Sequence, residues 1–426
     1  MKTLSKLGVV GLGYVGLPLA MEFCRANIPV VGVDVDGRKI RSLEKGESYI
    51  GDVQTIDLKT ATDSGFFQAT TDFGELRDAT AISICVPTPL GKSQDPDVSF
   101  VVSATEQVAD ILVRGQTVIL ESTVYPGATE EIVAPILERG GMKAEEDFFL
   151  AFSPERIDPG NTEYPPASIP KVVGGINEES TERAVDIYGK VFAKVTPVGS
   201  TREAEMAKLL ENTFRAVNIG LVNELAIMAH GMGIDIWKVI DAAATKPFGF
   251  MPFYPGPGWG GHCIPVDPFY LTWRARIDGF ESGFIEQAAR VNGKMPAYVV
   301  DRLSRLLNER GLPLKGSKVL MLGVAYKRDV GDVRESPALD IAERLVESGA
   351  ELIYHDPHVE TVSEKGLDLS STPLSPELIS EQDCILITTD HADVDYRAIC
   401  DSGVLVFDTR NVTGRLGIEG PNVIKL

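Results

Sequence analysis

Two stretches carry residue types at spacings that could do chemistry. The first is GWGGHCIPVDPFYL, residues 258–271, where Cys263 follows three glycines and His262, with Asp267 four residues on. The chain has only five cysteines, at 24, 85, 263, 384 and 400. Four of them read as small buried hydrophobes, on a helix face, in apolar runs, or near a helix end. Cys263 instead lies among Gly260, Gly261 and Pro265, outside any apolar strand. A thiol in such a loop suits nucleophilic attack on an aldehyde, and an oxidised adduct would be a thioester that water hydrolyses. The competing reading is an incidental thiol. The second stretch is Gly11-Leu-Gly13-Tyr-Val-Gly16, a GxGxxG match followed by Asp34 at the end of "PVVGVDVD". After a strand and opening a helix, such glycines bring backbone N–H groups to a pyrophosphate at the helix N-terminus. A carboxylate at 34 suits ribose hydroxyls and repels a 2′-phosphate, which favours NAD over NADP; Arg38, close by, runs against that preference. A glycine-rich turn that binds nothing is the alternative.

The elements that must position these residues follow from periodicity. "LGVVGLG", the helical spacing of "LPLAMEFCRAN" and "PVVGVDVD" read as strand, turn, helix and strand, the opening βαβ unit of a doubly wound sheet. "TAISICVPTP", "TVILESTVYPG" and "DFFLAFSPER" supply further strands. The C-terminal third repeats the order. "SKVLMLGVAYK" reads as a strand and turn, and 336–350 as a helix with a Ser N-cap and a glycine near its end. "ELIYHDPH", "DCILITTDH" and "VLVFDTRN" read as strands. Between the ends, "TREAEMAKLLENTFRAVNIGLVNELAIMAHGMG" has helical spacing and no strand punctuation. The expected fold class is therefore α/β: two Rossmann-like doubly wound domains joined by a central helical region with a long bridging helix. The expected boundaries are 1–200, 201–300 and 301–426.

Composition narrows the partners. The chain is 426 residues long, 44% hydrophobic and 24% charged, with a formal net charge of −20. That field repels nucleic acid and anionic membrane. No apolar run reaches the roughly 18 residues of a membrane span, and the N-terminus lacks a signal-peptide pattern. The scattered, odd number of cysteines suits neither a disulfide framework nor a zinc site, so the expectation is no metal and a cytoplasmic, reducing location.

Eight segments in one order, "GLGYVGLPLA", "GVDVD", "CVPTP", "ESTVYPG", "FSPER", "EMAKLLENTFRAVNIGLVNE", "GPGWGGHCIPVDP" and "GVAYKRDVGDVRESPALDI", resemble the UDP-glucose/GDP-mannose dehydrogenase family over essentially the whole chain. The resemblance implies NAD as cofactor and two successive oxidations at C6 of a nucleotide sugar. It also implies an N-terminal NAD-binding Rossmann domain, a central dimerisation region giving at least a homodimer, and a C-terminal UDP-binding domain. By the same resemblance Cys263 is the thioester nucleophile, and Lys208 and Asn212 stabilise the oxygen at C6. Asp267 bonds the lysine or the catalytic water, Glu155 is the base or water organiser, and Thr123 holds that water. Gly11, Gly13, Gly16, Asp34, Thr88, Thr123 and Arg334 contact NAD. Glu155, Lys208, Asn212, Gly260 and Lys327 contact the substrate.

The tail after the nucleophile, "GGHCIPVDPFYLTWRA", looks most like the bacterial and archaeal UDP-N-acetylglucosamine 6-dehydrogenases that serve surface polysaccharide. UDP-N-acetylmannosamine and UDP-glucose are the alternative substrates. Two other classes compete: a single-oxidation β-hydroxyacid-type dehydrogenase, which would give one NADH rather than two, and a non-catalytic nucleotide-sugar-binding protein. His262 either tunes the thiol or shapes its loop.

Overall fold

The computed structural model describes residues 4–91, 94–157 and 164–426. They divide into two compact units. The first runs to Glu211 and takes in Phe269–Phe280; the second comprises Asn212–Pro268 and Glu281–Leu426.

The first unit is built on an eight-stranded sheet. Its strands are β1 (Leu7–Val10), β2 (Val30–Val33), β3 (Phe67–Thr70), β4 (Ala81–Ile84), β5 (Thr117–Leu120), β6 (Phe149–Phe152), β7 (Lys171–Gly175) and β8 (Val195–Pro197). Their order is β3-β2-β1-β4-β5-β6-β7-β8, parallel except where β6 meets β7. β1, β2, β4, β5 and β6 are buried throughout, as strands covered on both faces must be, which is why they read as largely apolar runs broken only by Ser83 and Thr117. The helix Gly16–Arg25 closes one face with Leu17, Leu19, Met21 and Phe23. The strand order reverses between β1 and β4, so the loops after these two strands open the crevice where such sheets bind ligands.

The second unit carries a five-stranded parallel sheet. Its strands are β9 (Lys318–Leu322), β10 (Glu351–His355), β13 (Cys384–Ile387), β14 (Leu405–Asp408) and β15 (Val423–Lys425), in the order β10-β9-β13-β14-β15. A small antiparallel pair, β11 (Thr361–Val362) and β12 (Leu369–Ser370), stands apart. Helix Pro337–Glu347 has the expected cap, with Ser336 Oγ accepting from Ala338 N at 3.3 Å, and Gly349 at φ +81° follows its end.

The bridging segment is one helix, Thr201–Gly231, of 31 residues, about 46 Å long at the standard rise. It stops where Gly233 takes φ +68° and Ile234 N donates to Ala229 O. A second long helix, Gly283–Asn308, contains Pro296 and buries Met295, Val299, Leu303 and Leu307 against β9 and β13.

In both sheets an aspartate just past the strand beside the first bonds back to the first turn, Asp34 to Leu12 N in the first unit. Asp356 Oδ2 takes the N–H groups of Val324 and Ala325 and His391 Nε2.

Candidate active site

The glycine turn after β1 separates three jobs. A Cβ on Gly11, at φ +91°, would lie 2.6 Å from Cys85 O. One on Gly16 would lie 1.8 Å from Gly11 O. Both glycines are required by the protein's own packing. A Cβ on Gly13 would meet nothing within 4 Å. Open space at the middle glycine is what close approach of a pyrophosphate needs, and the residues present therefore fit a dinucleotide. Asp34 is buried. Its Oδ2 accepts Leu12 N at 3.0 Å and Lys39 Nζ at 2.9 Å, and its Oδ1 accepts Asp36 N. Arg38, which had weakened the NAD assignment, is held by Asp36 instead, through Nε at 3.1 Å and Nη2 at 2.8 Å. The cation on Asp34 is Lys39, which the sequence reading missed. It also missed Tyr49, whose hydroxyl donates to Leu12 O at 2.6 Å and pins the turn. Thr88 and Thr123 lie half-buried on the loops after β4 and β5.

Deeper in the same unit lies a charged cluster. Glu155, just beyond β6, takes the N–H groups of Arg156 and Ile157 on Oε1, at 2.6 and 2.7 Å, and Lys171 Nζ on Oε2 at 3.0 Å. Burial pushes its pKa up, but Lys171, the two N–H bonds and the field of Lys208 outweigh it, so Glu155 is held below the ordinary carboxylate range. Lys208 is itself buried on the long helix. Arg156 fixes the segment to that helix, bonding Glu211 through Nη2 at 2.6 Å and Nε at 3.2 Å. One turn before Lys208, Glu205 accepts Gly127 N, Thr129 N and Thr129 Oγ1, tying the loop that carries Thr123 to the helix. Burial pushes Glu205 up to about 7 despite these bonds.

In the second unit, Cys263 is half-buried, whereas the other four thiols are buried. Burial raises Cys24 to about 12 and Cys400 to about 11, and it raises Cys85 and Cys384 as well. Those four are poor thiolates, as the sequence reading held. Cys263 Sγ lies 3.0 Å from His262 Nδ1. Its carbonyl accepts Val266 N and Asp267 N, which sets it one turn ahead of the helix Asp267–Ile277. Asp267 is buried and accepts Asn212 Nδ2 on Oδ2 at 2.6 Å. The glycines of this loop have a packing reason. A Cβ on Gly260 would come within 2.8 Å of Tyr326 Cβ, and one on Gly261, at φ +86°, within 2.7 Å of the Tyr326 ring. Gly261 N is held by Arg334 O at 3.0 Å. The Arg334 guanidinium is paired with Asp332, and Lys327 is half-buried on the loop after β9. Arg410, not singled out from sequence, bonds Thr388 O at 2.7 Å, and its Nη1 would lie 3.0 Å from a Cβ on Gly256.

The structure thus gathers the predicted residues in two sets. Gly11, Gly13, Gly16, Asp34, Thr88, Thr123, Glu155 and Lys208 stand in the first unit. Asn212, Gly260, Cys263, Asp267, Lys327 and Arg334 stand in the second. Lys208 and Asn212 are one turn apart on the same helix. Among the described residues, no helix is long and apolar enough to cross a membrane.

Comparison with known proteins agrees in one direction. The chain matches the UDP-glucose/GDP-mannose dehydrogenase family in three parts: its NAD binding domain over residues 5–192, its central domain over 202–294 and its UDP binding domain over 320–415. It is 39% identical to a UDP-N-acetyl-D-glucosamine 6-dehydrogenase of Pseudomonas aeruginosa, over 91% of each chain. It is 33% identical to a UDP-N-acetyl-D-mannosamine dehydrogenase of Pyrococcus horikoshii, over 99% of this chain and 96% of that one. Among solved structures, a UDP-D-ManNAc dehydrogenase from Pyrococcus horikoshii superposes with a TM-score of 0.88 at 32% identity, covering 99% of this chain and 98% of that one.

Proposed function

Because the chain belongs to the UDP-glucose/GDP-mannose dehydrogenase family and is an NAD-dependent oxidoreductase, we propose that it oxidises the C6 hydroxymethyl of UDP-N-acetylglucosamine to the carboxylate through a covalent adduct on Cys263. The observation that carries this reading is the thiol itself. Of five cysteines it is the one that is not buried, and it has a ring nitrogen 3.0 Å away. A single oxidation of an alcohol has no use for such a nucleophile.

NAD, when bound at the Gly11–Gly16 turn and Asp34, supplies the hydride acceptor for both oxidations. The chain's own residues then have these tasks. Lys208 Nζ and the Asn212 amide stabilise charge on O6 as the alcohol becomes an aldehyde. Asp267 holds the Asn212 amide in place. His262 Nδ1 accepts the thiol proton as Sγ adds to the aldehyde carbon. After the second oxidation the adduct is a thioester, and Glu155 with Thr123 orients the water that hydrolyses it. Lys327 and Arg410 offer cations for the diphosphate of the substrate, and Arg334 is assigned to NAD by resemblance alone. In this reading residues 1–200 bind NAD, 201–300 dimerise and 301–426 bind the UDP moiety, and the enzyme works in the cytoplasm to supply uronic acid for surface polysaccharide. The dimer reading has support on the long helix, where Phe214, Leu221 and Met228 recur every seven residues and are exposed, the spacing that suits a second helix.

UDP-N-acetylglucosamine is preferred because the relatives at 39% and 36% identity carry that substrate in their names. The mannosamine epimer is the second reading, favoured by the superposition at a TM-score of 0.88. NADH release measured with UDP-N-acetylglucosamine, UDP-N-acetylmannosamine, UDP-N-acetylgalactosamine and UDP-glucose separates them. A kcat/KM at least tenfold higher for the glucosamine sugar is expected, and a preference for any other sugar refutes the assignment.

A further inference from the structure

The charged cluster of the first unit contains two residues with no task so far. Lys171 opens β7 and Glu121 follows β5. Lys171 Nζ donates to Glu121 Oε2 at 2.6 Å and to Glu155 Oε2 at 3.0 Å. The other Glu121 oxygen accepts the Tyr188 hydroxyl at 2.5 Å. The rings of Tyr188 and Phe192 sit 5.2 and 5.4 Å from the ammonium. Side-chain exposure rises along the row, from 0% at Glu121 through 3% at Lys171 to 8% at Glu155. Glu155 is therefore the end of the row that water can reach.

The hydrogen-bond count at Glu155 is informative. A carboxylate has about four acceptor positions. Among the described residues Arg156 N and Ile157 N fill Oε1, and Lys171 fills one position on Oε2. The position left for a water is on the oxygen that Lys171 fixes. Two buried carboxylates this close favour sharing a proton unless a cation lies between them. Burial lowers the Lys171 pKa, but the two carboxylates outweigh it and keep it above its ordinary value. Burial also raises Glu121, so any proton the row takes up goes to Glu121 rather than to Glu155.

We propose that Lys171 is a positioning residue for the hydrolytic half-reaction: it keeps the Glu155 carboxylate ionised and turned so that Oε2 accepts from the attacking water, with Glu121 anchoring the lysine from behind. The inference rests on the Cys263 thioester reading. In the step concerned, the water oxygen bonds to the thioester carbon, the carbon–sulfur bond breaks, and Cys263 leaves with the bonding pair. One water proton goes to the thiolate. The other leaves to solvent by way of Glu155, so no oxidant or reductant is needed.

The test compares Lys171→Met with the charge-conserving pair Lys171→Met/Glu121→Gln and with Lys171→Arg. The pair removes one cation and one carboxylate and so keeps the fold available if the single variant is insoluble. Rapid mixing with NAD and UDP-N-acetylglucosamine reads the first NADH released per site, steady-state NADH reads turnover, and mass spectrometry of quenched protein reads the Cys263 adduct. For the pair, turnover is expected to fall about 10²-fold, the typical contribution of a positioned acid–base group. The burst of two NADH per site is retained within about threefold in rate, and the thioester accumulates on Cys263. Lys171→Arg, which keeps the cation, recovers turnover to within about tenfold of wild type. On a Glu155→Gln background the Lys171 change adds less than about threefold, because both act through one water. Turnover of the pair near wild type overturns the proposal. So does a burst that falls in step with turnover, or additive losses on the Glu155→Gln background, since each marks a structural role. Wild-type protein that yields one NADH per sugar fails the thioester reading itself, a result seen before any Lys171 variant is made.

Discussion

Gly13→Ala and Gly16→Ala differ by one methyl at two places in one turn, and the structure assigns them opposite effects. At Gly13 the added Cβ meets no heavy atom within 4 Å, so stability without ligand stays within about 0.5 kcal/mol. At Gly16 it would stand 1.8 Å from Gly11 O and 3.1 Å from Val9 Cγ1. The main chain must open by more than an ångström, at about 1–3 kcal/mol or more of overpacking. In a unit of this size that is about 2–4 °C of Tm for each kcal/mol. The methyl on Gly13 instead occupies the space a pyrophosphate needs. For a tenfold loss of affinity, NAD at 100 times the wild-type Kd stabilises wild type by about 2.7 kcal/mol and Gly13→Ala by about 1.4 kcal/mol. Thermal melts across an NAD titration, with calorimetric Kd values, read both effects. Gly13→Ala is expected to keep its ligand-free Tm and to lose about half the NAD-induced rise. Gly16→Ala is expected to melt several degrees lower without ligand. A full NAD-induced rise in Gly13→Ala, or an unchanged ligand-free Tm in Gly16→Ala, refutes the reasoning from these contacts.

Three further outcomes are expected. His262→Asn should slow alkylation of Cys263 by iodoacetamide at pH 7 by about tenfold while NAD binding is kept, since the ring nitrogen 3.0 Å from Sγ is then lost; equal alkylation rates make His262 a shaper of the loop only. Phe214→Glu with Leu221→Glu puts two charges on the exposed apolar stripe of the long helix, and on the proposed dimer sedimentation velocity should show wild type as a dimer and the variant as a monomer. An unchanged dimer removes that stripe from the interface. Burial pushes Asp356 up, but His391 and the N–H groups of Val324 and Ala325 outweigh it and bring it down to about 2. A depressed carboxylate stabilises fully above its unfolded pKa of about 3.9, and that contribution is lost as pH falls from about 4 towards 2, on the order of 2 kcal/mol. His391→Ala should therefore move the acid unfolding midpoint of the second unit upward, as followed by circular dichroism; an unmoved midpoint contradicts the pairing.

What the sequence made legible was what local pattern determines. The buried strands β1, β2 and β6 are continuous apolar runs, β4 and β5 are nearly so with Ser83 and Thr117, and the 31-residue helix has unbroken helical spacing. The cap of helix Pro337–Glu347 is written in Ser336. The elements that went unread, β3, β7, β8, β15 and the β11–β12 pair, are two to five residues long, and β7, β8 and β15 carry lysine, glycine or proline. Pairing across the sheet, not propensity, makes them strands. The site divides in the same way. Cys263 and Asp267 stood out by residue type and spacing, Glu155 and Lys208 only by the resemblance to the family. Lys171 did not, because its partners lie 50 and 16 residues away in sequence and a lysine heading a strand looks solvated. One available clue was that both "TVILE" and "PKVVGG" set a charge at the end of a buried run. Gly260 and Gly261 marked a loop rather than a strand; Tyr326 is the physical reason for both.

The most direct test of the account is the electron count at the thiol. Wild-type protein and Cys263→Ala are each given a limiting amount of UDP-N-acetylglucosamine with excess NAD, and NADH and uronic acid are counted per sugar. The account predicts two NADH and one uronic acid from wild type, with no uronic acid from Cys263→Ala although it still binds NAD. One NADH per sugar from wild type, or uronic acid from Cys263→Ala at the wild-type rate, contradicts it.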